Sequence, residues 1–213
     1  MRLRPTPAWV ANLDAACGST TTPMTSFEFV FGMISVITSL ALTRLLSGCV
    51  GLYRHAERVR FSWRHGCWTA MAFLLLLGNW ASFWRMRDIQ SWQALDVLIP
   101  LAFVSVLYAF CDMVVPEEPE PGVVLDLRAY HAVQGRRYKL LQLVFAVMAT
   151  LVIARSSSSV SDWLANALFA LVAAACSVVA LRTRRVWLDT AAAAVLLAMA
   201  PVFLWMHLQA LAG

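Results

Sequence analysis

Six runs of apolar residues, each near bilayer length, decide what this chain can become. A helix needs roughly 20 such residues to cross the hydrocarbon core. Lipid admits only structures whose backbone polar groups are paired internally, and a helix pairs them within one segment. The runs fall at 27–53, 66–84, 92–115, 138–154, 162–181 and 186–208. They predict an all-α fold: a polytopic transmembrane helical bundle of about six spans in one domain. The fourth run is the shortest, because Arg155 and four serines follow it directly. Composition points the same way. Of 213 residues, 61% are hydrophobic and 14% charged, against roughly 45–50% and about 25% in soluble domains. A single soluble core could not bury that excess. For the chain as a whole, a soluble enzyme, a disordered tail and a secreted disulfide scaffold are excluded.

The net charge of +5 reports orientation rather than nucleic-acid binding, since no basic block with interleaved aromatics occurs. Arg54, Arg58, Arg60 and Arg64 follow the first run, Arg128, Arg136, Arg137 and Lys139 the third, and Arg182, Arg184 and Arg185 the fifth. The opposite side carries only Arg2, Arg4, Arg85, Arg87 and Arg155. Cytoplasmic loops keep the excess of arginine and lysine, so both termini are expected outside. Trp63, Trp68 and Trp187 fit an inner aromatic belt, and Trp80, Trp84, Trp92, Trp163 and Trp205 an outer one. Residues 1–26 lack an apolar core and read as a disordered tail rather than a secretory signal; Met24 is a candidate true start.

Few polar residues remain for chemistry. Ser35, Ser39, Thr43, Ser47 and Gly51 recur every four residues in the first span, a small-residue stripe suited to close helix packing. Arg44 lies ten residues before Arg54, about 15 Å from that end at 1.5 Å per residue. An ion at that depth needs a partner: Asp112 is the first candidate and Asp189 the second. Glu28, Asn79 and Asp96 lie toward the outer ends of three spans, where they are either interfacial solvation or the wall of a vestibule. Residues 116–137 read as a cytoplasmic loop, stiff and acidic at first, then a short interfacial helix. There Arg128, Arg136, Arg137 and Lys139 would meet anionic lipid headgroups or a partner protein.

Pro100 and Pro201 interrupt spans three and six, a pattern some transporters share. The five cysteines show no metal-ligand spacing. The histidines, His55, His65, His131 and His207, form no haem pair, and no hydrolase or nucleotide motif is present. No metal, cofactor or catalytic residue is expected, and an enzyme is disfavoured.

The run FEFVFGMISVITSLALTRLLSG at 27–48, with DLRAY at 126–130 and Arg136-Arg137, resembles a broad group of uncharacterised bacterial multi-pass membrane proteins. The resemblance implies an inner-membrane location and no particular activity. Two functions stay open: a non-catalytic membrane component packing with itself or a partner, and a small channel or secondary transporter using Arg44 and the carboxylates.

Overall fold

A computed structural model describes residues 25–83, 87, 92–117, 123–156, 159–183 and 185–212, with side chains at 155, 156, 162, 165 and 207–212 left aside. The tail before Thr25, the candidate start Met24, Trp84 and the His207 side chain lie outside the described residues. Among the described residues there are six long helices: α1 (Ser26–Arg54), α2 (Trp63–Phe83), α3 (Ala94–Val114), α4 (Leu127–Ser156), α5 (Val160–Arg182) and α6 (Val186–Ala212). Five are long and apolar enough to cross a membrane; in α5 the apolar stretch is the shorter Asn166–Arg182. The fold is an all-α bundle of a multi-pass membrane protein.

The helices close a ring. α1 packs on α3, α3 on α4, α4 on α5, α5 on α6, α6 on α2 and α2 on α1, with α2 also touching α3 and α4. At one end, β1 (Val59–Arg60) pairs in parallel with β2 (Leu125–Asp126), with Val59 opposite Leu125 and Arg60 opposite Asp126. This pair ties the connection after α1 to the one before α4, so both leave the bundle at the same end.

The expected loop of 116–137 with its own interfacial helix is corrected. Residues 127–137 are the opening turns of α4, a single helix of 30 residues. The Asp126 carboxylate accepts the backbone N–H of Arg128 at 2.8 Å and that of Ala129 at 3.4 Å, which caps the helix at its first turn. Leu127, His131, Gly135, Tyr138, Lys139 and Gln142 are buried, at helical spacing. Hydropathy falls over these turns because their inward face is polar, although the helix continues.

On α1 the seam against the bundle is Val30, Ile34, Thr38, Ala41, Leu45, Gly48 and Gly51. The row of small residues is not one straight face. A spacing of four advances about 40° per step on a helix of 3.6 residues per turn. Ser35 lies beside α2, where its hydroxyl oxygen accepts the Trp80 indole N–H at 3.4 Å. Ser39, Thr43 and Ser47 are exposed, and Gly51 turns into the core. The exposed hydroxyls donate back to carbonyls of their own helix, Ser39 to Ser35 at 2.7 Å and Thr43 to Ser39 at 2.8 Å. Trp68, expected in an aromatic belt, is fully buried in the core.

Candidate functional site

Charges gather where α2 and α6 begin and α5 ends, against the first half of α4. Asp189 sits in the first turn of α6, where the helix dipole favours an anion. Its Oδ2 accepts the His131 Nε2 at 2.8 Å and lies 3.4 Å from the Arg64 guanidinium; its Oδ1 lies 2.7 Å from the Lys139 ammonium. Lys139 also reaches the Ala180 carbonyl of the last turns of α5 at 3.5 Å, where the dipole favours a cation. Its ammonium lies 5.8 Å from the centre of the Trp68 ring. The Tyr138 hydroxyl is hydrogen-bonded to His131 Nδ1.

Burial separates this cluster from an ordinary surface pair. Asp189, His131 and Lys139 are each less than a tenth exposed, and the Arg64 side chain is 19% exposed. Each ion removed from water costs several kcal/mol, so such a set persists only when every charge is paired. One carboxylate here faces an arginine, a lysine and a histidine, and four helices contribute. A band of aromatic rings wraps it. His65 meets the rings of Tyr130, His131 and Tyr138 edge-on, and Tyr138 tilts against Trp68 at 5.7 Å. Neither ring nitrogen of His65 has a hydrogen-bond partner among the described residues.

The two intramembrane candidates of the sequence part company. Arg44 Nε donates to Asp112 Oδ1 at 2.7 Å, with side chains 33% and 46% exposed. Asp189, the alternative partner for Arg44, is instead held by Arg64, His131 and Lys139. α3 ends two residues past Asp112, while α1 runs ten residues past Arg44, so the last turns of α1 project beyond the end of α3. The pair joins α1 to the last turn of α3.

Glu28 and Asp96 serve helix starts. The Thr25 backbone N–H donates to Glu28 Oε2 at 2.8 Å, and the Gln93 backbone N–H donates to Asp96 Oδ2 at 2.9 Å. Asn79 is buried, with its amide nitrogen unpartnered. Among the described residues no hydrogen bond or ion pair joins Glu28, Asp96 and Asn79. Arg128, Arg136 and Arg137 are exposed, as a headgroup contact requires, but Lys139 is not. Its place in a headgroup-binding set is withdrawn, because its ammonium is committed to Asp189.

Sequence reasoning missed Arg64, His65, His131 and Tyr138. One signal was present: Lys139 is the only lysine among 17 basic residues. Where a buried carboxylate must be met by a compact charge on a flexible stem, lysine fits as the planar arginine head does not. No family model, no curated protein and no solved structure matches the chain.

Proposed function

We propose that this protein is a non-catalytic, multi-pass component of a bacterial inner membrane, with both termini outside, that packs with itself or a partner. The observation supporting the reading is where the charges go. Asp189, Lys139, His131 and Arg64 are spent on one another in a buried junction of four helices, and Arg44 on Asp112. A conducting path needs polar groups left facing its lumen; here they fasten helices. The exposed face of α1, with Val36, Leu40, Ser39, Thr43 and Ser47, leaves small residues between large apolar ones on the outside of the bundle. Arg128, Arg136 and Arg137 at the start of α4 are placed to meet anionic headgroups or a partner protein.

Cross-linking in native membranes tests the reading. With the native cysteines replaced by alanine, single cysteines at Ser39 or Thr43 are expected to give a covalent dimer or a partner adduct. Cysteines at Val147 or Leu151, exposed on α4, are not. Equal cross-linking from both helices, or none from α1, would remove α1 as the packing face.

A further inference from the structure

A groove of about 700 Å³ opens between the last turns of α1 and the first half of α2, within the roughly 300–1,000 Å³ of ligand sites. Its walls are apolar, chiefly Leu45, Leu46, Leu52, Phe61, Phe73 and Leu74. On α1 the lining runs from Leu45 to Tyr53, and on α2 from His65 to Leu74. At 1.5 Å per residue that is about 13 Å, or close to half of a hydrocarbon core of roughly 30 Å.

The end of the groove is built like a membrane interface. Tyr53, Phe61 and Trp63 are 83%, 64% and 68% exposed, as rings at headgroup level are. Arg54, Arg58 and Arg60 are exposed between the lining residues Tyr53, Ala56, Val59 and Phe61, and none is in an ion pair among the described residues. Glu57 and Asp126 are the acidic neighbours, so the segment stays net positive. His65, three residues into α2, belongs to the groove lining; it is 2% exposed, and both its nitrogens lack partners. A second transmembrane helix would need contact along a whole span, whereas this groove stops at half depth. A water-soluble ligand would find almost no polar wall.

We propose that the groove holds one acyl chain of an anionic phospholipid from the leaflet at this end of the bundle. The phosphate lies on Arg54, Arg58 and Arg60, and His65 is the hydrogen-bonding group at the level of the lipid's ester linkage. The inference goes beyond packing through α1 and does not depend on it.

Native mass spectrometry of the purified full chain, given equal amounts of phosphatidylglycerol and phosphatidylcholine with the same oleoyl chains, tests it. One retained phosphatidylglycerol is expected, preferred by at least about fivefold, the ratio that one arginine near a headgroup gives. Replacing Arg54, Arg58 and Arg60 with glutamine should bring the preference near parity. Ala70→Trp, which places a ring in the groove from an exposed position, should lose the retained lipid while keeping the helical content. Equal retention of the two lipids by the native chain, or lipid kept by Ala70→Trp, overturns the proposal. So does displacement by soluble glycerol phosphate, which would make this a site for free phosphate.

Discussion

Asp189→Leu is expected to lower the stability of the detergent-solubilised bundle by about 3–5 kcal/mol, the range for removing one partner of a buried ion pair. The loss does not measure the strength of the Asp189 contacts. It arises because Lys139 stays buried without an anion, and because His131 loses the acceptor that fixes its ring. Lys139→Met should cost less, because Arg64 and His131 still face the carboxylate. The combined Asp189→Leu and Lys139→Met chain should recover part of the loss: Arg64 is then the one fixed charge, and at 19% exposure its guanidinium can turn to water. Denaturant titration with circular dichroism as the readout checks the order. Native-like stability of Asp189→Leu would mean that water reaches the cluster and the junction does not hold the helices.

Gly48→Ala is expected to destabilise by about 1–3 kcal/mol, the range for overpacking a close contact. A Cβ at Gly48 would overlap Cγ1 of Val115, which is 2% exposed where α3 ends. Valine has no flexible end to swing aside, so α1 and α3 would have to part close to the Arg44–Asp112 pair. Gly32→Ala provides the contrast. Nothing lies within 4 Å of its added Cβ, so only the better helix propensity of alanine remains, up to about 1 kcal/mol in favour. Val115→Ala placed beside Gly48→Ala should restore most of the loss. A neutral Gly48→Ala would show that α1 and α3 do not approach as closely as described.

The architecture is largely legible in the sequence, because bilayer-length apolar runs leave few alternatives to a helix. Each boundary that moves does so for one reason. Hydropathy measures the lipid-facing surface, and it falls silent where a helix turns a polar face inward. Residues 127–137 read by hydropathy as a separate interfacial helix of a loop, yet Leu127, His131 and Gly135 continue the buried face of Tyr138, Lys139 and Gln142 on one helix. The site obeys the same rule. Arg44 stands out as the one arginine inside a predicted span, although its pair with Asp112 is part-exposed. Arg64 and Lys139 read as topology signals at helix ends and are held in the most buried ion cluster among the described residues. A linear charge count cannot tell these cases apart, because what distinguishes them is a carboxylate on α6, 125 positions beyond Arg64 and 50 beyond Lys139. The row at Ser35 to Gly51 is divided by its period: four-residue steps wind around a helix that repeats every 3.6, so Ser39, Thr43 and Ser47 face outward while Gly51 turns into the core.

If the charges inside this bundle fasten helices and carry no solute, vesicles holding the protein should stay sealed. Ion and proton leak through proteoliposomes measures that most directly, comparing the native chain with Arg44→Ala, Asp96→Asn and Asp189→Asn. Leak equal to that of protein-free vesicles is expected for all four, with Asp189→Asn losing stability alone. A flux through the native chain that Arg44→Ala, Asp96→Asn or Asp189→Asn abolishes would contradict the fastening role.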